Sequence, residues 1–189
     1  MHRFPRLHEA LDYAAEVHNG QRRKGTTIPY LTHPLGVCSL VLEYGGDEDQ
    51  AIAGLLHDVI EDGGEQHGAV IRSKFGDRVA GIVEACTDGV PDQNGDKAPW
   101  RLRKESHIRH LREAPLDTVL VAACDKLHNA RAIAGDVCIN GHEVFKRFKA
   151  SREDTLWYYQ AIYDVLLDRL GGSSPMIFEL GSALEGMQR

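Results

Sequence analysis

The chain is 189 residues long, with 42% hydrophobic and 26% charged residues, a balance that excludes a disordered chain. One domain spanning 1–189 is expected, large enough to bury a core without metal or disulfide staples. A formal net charge of −6 argues against a protein that coats DNA or RNA, but leaves room for a basic pocket that takes a small anion.

Along the chain the apolar spacing is helical. Leu7, Ala10, Leu11, Ala14 and Ala15 form a stripe that ends at Asn19-Gly20. Residues 21–32 are polar and basic and read as a loop. A second helix starts near His33-Pro34 and runs to Tyr44. Leu35, Val37 and Leu40 on it are expected in the core. Asp47 followed by Gln50 resembles a capping box, and the helix behind it should continue to Asp62, before Gly63-Gly64.

Helices are expected at 67–75 and 77–87, and a loop at 88–99 (DGVPDQNGDKAP). Then come helices at 100–113 and 116–134, a loop at 135–143 and a long helix at 146–170. Ser174-Pro175 opens a C-terminal helix over 175–187. No strand is supported, so the fold class is all-α.

The four cysteines, Cys38, Cys86, Cys124 and Cys138, show no C-x-x-C spacing and read as reduced, buried thiols of a cytoplasmic protein. The N-terminus, MHRFPRLHEA, lacks a secretory apolar segment. No stretch approaches the ~18 apolar residues of a membrane span. Neither membrane nor nucleic acid is expected as a partner.

Chemistry concentrates where polar residues follow buried-looking helical runs. In AGLLHDVIED, residues 53–62, His57 and Glu61 share one helical face, and Asp58 and Asp62 share the next. Three carboxylates packed together repel unless a cation joins them. Asp125 emerges from a second apolar run, with Asn129 one turn later, and His33 opens a helix after the basic loop. Two imidazoles and two carboxylates without thiolate suit Mn²⁺, Fe²⁺ or Zn²⁺ better than Ca²⁺. Glu61 and Asp62 are then placed to orient water or move protons. Taken alone, a His-Asp pair is commonly a surface or capping feature. His18, His67, His107, His110, His128 and His142 read as surface or loop histidines. Trp157, Tyr158 and Tyr159 read as core.

Together these motifs resemble the HD-domain metal-dependent phosphohydrolases. RRKGTTIPYLTHPLGV (22–37), HDVIED (57–62), FGDRVAGIVEACTDG (75–89) and DKLHNAR (125–131) are similar to the hydrolase domain of the RelA/SpoT family, and most of all to its stand-alone small alarmone hydrolases. The likeness covers about residues 5–170 and implies a compact helical bundle of about 8–10 helices. It implies one Mn²⁺ ion, or another divalent metal, held by His33, His57, Asp58 and Asp125. It assigns Glu61 and Asp62 to water activation and proton transfer. It gives Arg23 and Lys24 the nucleotide, Asn129 the nucleoside, and Lys104 the leaving pyrophosphate, with Arg152 a weaker candidate for that contact.

The implied reaction is hydrolysis of the 3′-pyrophosphate of guanosine tetraphosphate or pentaphosphate (ppGpp, pppGpp), giving GDP or GTP and pyrophosphate. Cationic walls formed by Arg22, Arg23 and Lys24 and by Arg101, Arg103 and Lys104 suit such a polyanion. For Arg22, Arg101 and Arg103 a solvated charged face is an equal reading. The resemblance further implies a protein that only degrades alarmone. Two departures from the family pattern stand out: Gly63 replaces a common threonine, and the 88–99 loop is longer than in the shortest relatives. Two alternatives stay open: the same chemistry on an adenosine alarmone analogue or the 2′-phosphate of NADPH, and a non-catalytic alarmone-binding module.

Overall fold

The computed structural model describes residues 4–89 and 97–189. Ten α-helices occur among them: α1 (Leu7–Val17), α2 (Thr32–Glu43), α3 (Glu48–Leu56), α4 (Val59–Gly63), α5 (Gln66–Phe75), α6 (Asp77–Cys86), α7 (Trp100–Glu113), α8 (Leu116–Asn140), α9 (Arg152–Leu170) and α10 (Pro175–Gln188). A 3-10 segment, Gly141–Arg147, joins α8 to α9. The only extended pairing among the described residues is one antiparallel bridge, Arg22 to Pro29, within the basic loop. The all-α expectation therefore holds. Of the expected 88–99 loop, residues 90–96 lie outside the described residues.

Helix α8 is the axis of the bundle and packs against α2, α3, α6, α9 and α10. From Val119 to Cys124 it is apolar on all sides, with Val119, Val121, Ala122, Ala123 and Cys124 buried, as a helix surrounded by others requires. Helix α3 is equally enclosed, since every residue from Gln50 to Leu56 is buried. Each large side chain there, such as Ile52 or Leu55, contributes about 1.5–3 kcal/mol by leaving water. The start of α3 is fixed by the capping box: the Gln50 amide donates to Asp47 Oδ1 at 3.0 Å, and the Asp47 amide donates to Gln50 Oε1 at 3.1 Å. These two enclosed helices bring two of the site's polar groups, His57 at the end of α3 and Asp125 on α8.

The structure corrects three boundaries. The expected helix through Asp62 is broken at His57-Asp58, where Asp58 takes φ −98° and ψ −4°. This bridge conformation turns α4 away from α3. Helix α8 does not stop at 134 but continues to Asn140. Ile133 and Val137, one turn apart, are both buried and extend the packing. Helix α9 begins at Arg152 rather than 146, because Ser151 caps it by accepting from the Asp154 amide at 3.0 Å.

Other expectations change as well. Cys38 and Cys124 are buried, but Cys86 is half-buried and Cys138 is exposed; all four are free. Leu35 is exposed. His18 and His107 are buried rather than superficial. Tyr158 and Tyr159 are in the core as expected, and Trp157 packs at its edge. Among the described residues no helix is long and apolar enough to cross a membrane.

Candidate active site

The first turn of α2, the C-terminal end of α3 and the middle of α8 meet at one point. His33 and His57 are almost fully buried there, at 1% and 2% exposure. Their Nε2 atoms face each other at 3.2 Å. Asp58 Oδ2 lies 3.0 Å from His57 Nε2 and 3.5 Å from His33 Nε2. Asp125 Oδ1 lies 3.2 Å from His33 Nε2 and 3.7 Å from His57 Nε2. The four residues expected as metal ligands are thus brought together. His33, His57 and Asp58 each offer an atom within 4.8 Å of the others, and Asp125 joins through its contacts with the two imidazoles.

The donor set fits a divalent cation. His57 Nδ1 donates to the Gly54 carbonyl at 2.8 Å, which leaves Nε2 as the lone-pair nitrogen. His33 Nδ1 pairs with His128 Nδ1 at 2.9 Å. When His33 donates in that pair, its Nε2 also faces the centre as an acceptor. Helix α2 passes this point at Gly36, where an added Cβ would collide with the His128 imidazole. Two lone pairs and two carboxylates then converge on a space that needs positive charge.

Electrostatics point the same way. Burial disfavours the charged form of His57, but the Asp58 and Asp125 carboxylates outweigh it and raise this imidazole to about 9. Burial likewise opposes ionisation of Asp58 and Asp125, yet both are held well below the usual carboxylate range. His57 and His33 do this for Asp58; Lys126, then His33, does it for Asp125. The same field that retains a proton here attracts a metal ion.

The remaining expected residues divide into three groups. Arg23 and Asn129 join the cluster directly: the guanidinium donates to Asn129 Oδ1 at 2.8 Å, and Asn129 Nδ2 donates to Asp125 Oδ1 at 2.6 Å. Lys24 lies nearby with its ammonium 5.8 Å from the centre of the Phe148 ring. Glu61 and Asp62 sit on α4 beyond the helix break. Glu61 accepts from Lys97 Nζ at 2.7 Å and from the Asp88 amide at 3.3 Å. The expected packing of three carboxylates on one helix end is therefore corrected: Asp58 alone of the three touches the histidines, and Asp125 supplies the second acid. Asp62 retains exposed surface, but crowding around its carboxyl and then repulsion from Asp58 and Glu61 raise it to about 6.

Lys104 lies on the opposite flank. Its ammonium is paired with Asp88, which also holds Arg103 at 3.2 Å, and lies 4.7 Å from the centre of the Tyr158 ring. Burial lowers its pKa, with repulsion from Lys126 adding to the effect. Arg152 is not gathered in; it donates to the Gln188 carbonyl at 3.2 Å. Arg22 donates to the Thr27 carbonyl, and Arg101 covers the Trp157 ring face at 3.2 Å.

Sequence reasoning missed Tyr30, Lys126 and His128. The Tyr30 hydroxyl donates to Asp58 Oδ2 at 2.5 Å. Burial, then the Asp58 charge, keeps that phenol protonated. Lys126 Nζ donates to Asp125 Oδ2 at 2.6 Å. The sequence offers only a faint signal for them: an aromatic three residues before His33, and a lysine and a histidine flanking Leu127 in the polar run that starts at Asp125. A cavity of 460 Å³ opens beside the cluster, shared with it through Tyr30, His128 and Asn129 and walled by Arg23, Lys24 and Phe148.

Fold and cluster define an all-helical protein with a buried histidine–carboxylate site for a divalent metal ion. The chain belongs to the HD-domain family, which it matches over residues 10–171. It is 39% identical over 127 residues to guanosine-3′,5′-bis(diphosphate) 3′-pyrophosphohydrolase MESH1 of Xenopus tropicalis, covering 65% of this chain and 66% of that one. It is 35% identical over 126 residues to the guanosine-3′,5′-bis(diphosphate) 3′-pyrophosphohydrolase of Haemophilus influenzae, covering 64% of this chain and 17% of that one. The chain spans less than two thirds of the length of either relative. A solved structure of a metazoan ortholog of SpoT that hydrolyzes ppGpp matches it with a TM-score of 0.74 at 26% identity, covering 98% of this chain and 97% of that one.

Proposed function

We propose that this protein removes the 3′-pyrophosphate of guanosine tetraphosphate and pentaphosphate, yielding GDP or GTP and pyrophosphate, as a single catalytic domain acting in the cytoplasm. The observation that carries the reading is the convergence of His33, His57, Asp58 and Asp125 beside a cavity walled by Arg23 and Lys24. The names of the relatives add support for the substrate.

His33, His57, Asp58 and Asp125 would hold the ion; their N/O donor set without thiolate admits Mn²⁺, the ion that the resemblance implies. When bound, such an ion acidifies water and polarises a phosphoryl oxygen. Tyr30 and Lys126 hold the two ligand carboxylates in place through their free oxygens. Arg23 and Lys24 bind the nucleotide, with the flat guanidinium able to lie against the base. Asn129 couples that contact to Asp125. Glu61 and Asp62, at the rim, take the proton from the water that attacks the 3′ phosphorus and deliver one to the departing ribose 3′ oxygen. Lys104 meets the pyrophosphoryl group that passes to water, when the substrate's charge displaces Asp88 from it.

The test is a product assay. Protein stripped of metal and reloaded with Mn²⁺ is mixed with guanosine tetraphosphate, and the nucleotides are separated by anion exchange. GDP is expected only with metal, and Asp58→Asn is expected to lower the rate by at least about a hundredfold. No GDP from metal-loaded wild-type protein overturns the reading. GDP formation that is insensitive to Asp58→Asn removes this cluster from it.

A further inference from the structure

The long wall of the cavity is one stripe of α8. Asp125, Asn129, Ala132 and Asp136 recur at intervals of four, three and four residues, so they share one helical face. Asp125 belongs to the metal cluster, while Asn129, Ala132 and Asp136 line the cavity. At about 1.5 Å rise per residue, Asp136 stands ~16 Å along the helix from Asp125. The stripe therefore leads from the phosphate end of the site to its far end.

The cavity also carries the cations Arg23 and Lys24, which suit an anionic nucleotide. Among the described residues, Asp136 is the one carboxylate that lines this cavity. A carboxylate repels phosphate, so its partner must be a part of the ligand that offers hydrogen-bond donors. Arg147 fixes its orientation by donating to Asp136 Oδ2 at 2.6 Å. The stem of Arg147 lies across Gly25, where an added Cβ would come within 2.6 Å of the Arg147 Cδ. Among the described residues nothing donates to Oδ1 of Asp136, and the side chain keeps 37% exposure. A carboxylate retains several lone-pair sites after one such bond. Ile133, Phe148 and Tyr159 add apolar and aromatic surface on the same cavity, suited to a flat ring.

We propose that Asp136 reads the base of the nucleotide, its carboxylate accepting from N1–H and the N2 amino group of guanine. This inference rests on the function proposed above and deepens it. Guanine presents two adjacent donors on that edge. Hypoxanthine presents only N1–H. Adenine turns an N1 lone pair toward the carboxylate, which repels it. Asp136 thus sets base specificity at a distance from the reacting phosphorus.

The experiment measures binding of GDP, IDP and ADP to the full chain loaded with Mn²⁺, by calorimetry, for wild type and Asp136→Asn, with guanosine tetraphosphate turnover measured on the same samples. Wild type is expected to bind GDP tightest, IDP more weakly and ADP weakest. In Asp136→Asn, GDP affinity falls about tenfold to a hundredfold. ADP affinity rises there, because the amide can accept from N6–H and donate to N1. A structural role alone would weaken all three nucleotides together. Equal losses for all three, no change, or no base preference in wild type overturns the inference. Turnover without base preference sinks Asp136 and leaves the proposed reaction standing. Base preference without turnover sinks the reaction and leaves the assignment of Asp136.

Discussion

On one side of the buried histidines, Arg23 is tied to the cluster by hydrogen bonds running through Asn129 to Asp125. On the other, Lys104 and Arg103 are both held by Asp88, a carboxylate outside the cluster. The first flank is joined by directional bonds to Asp125, one of the proposed metal ligands, so disturbing it also disturbs the cluster. The second is an ion-pair group that a substrate phosphate can enter by exchange, with the cluster untouched. Two flanks of the same charge can therefore do different work: one sets the geometry of the site, and the other receives charge as it moves.

The largest effect is expected on the first flank. Asn129→Ala removes the donor to Asp125 and the acceptor for Arg23, and should cost about tenfold to a hundredfold in metal affinity or activity. Titrating activity with Mn²⁺ measures it. An unchanged metal titration would break the comparison, because Asn129 would then serve the nucleotide alone.

Next is the support behind the second flank. His107 is buried near Lys126, Asp88 and Lys104, and burial, then the Lys126 charge, pushes its imidazole down to about 3. An unfolded histidine titrates near ~6.5. Between these values the unfolded chain binds the extra proton, so stability is full above the unfolded value and falls as pH drops below it. Going from pH 7 to pH 5 should remove about 2 kcal/mol of stability through this residue. Urea denaturation at both pH values, in wild type and His107→Gln, isolates it. Equal pH sensitivity in both proteins would show that the flank has no neutral histidine beneath it.

The smallest effect sharpens the contrast. Asp88→Asn removes the carboxylate that competes with substrate for Lys104 and Arg103. KM should fall, because Lys104 and Arg103 are then free to meet the substrate phosphate. Steady-state kinetics read this directly, and a rise in KM would mean that Asp88 positions Lys104 rather than occupying it.

The cluster and Asn129 were far more legible in the sequence than the side chains that brace them. His33, His57, Asp58, Asp125 and Asn129 lie in short motifs on enclosed helices, and local spacing carries over when a helix is held on all sides. Tyr30, Lys126 and His128 were not legible, because their roles depend on which residue faces them across the helix interface. The break at His57-Asp58 was hidden for a similar reason: the string AGLLHDVIED keeps helical spacing straight through it. The extension of α8 past Gly135 went unread because glycine is a weak helix former, and here the buried Ile133–Val137 pair decides. The start of α9 could have been found. Ser151 with Glu153 and Asp154 behind it is a capping pattern, and it outweighs the apolar residues upstream.

The break between α3 and α4 has a consequence in time. Helix α3, with the histidine at its end, is sealed within the core and opens only when the bundle does. Helix α4 has five residues, too few to stay wound alone, and leans on Val59 and Ile60. Glu61 and Asp62 therefore ride on a short segment that can unwind while the cage beside it stays closed. Under the proposed mechanism, the four ligands would keep their grip on the ion while the segment that carries Glu61 and Asp62 opens and closes.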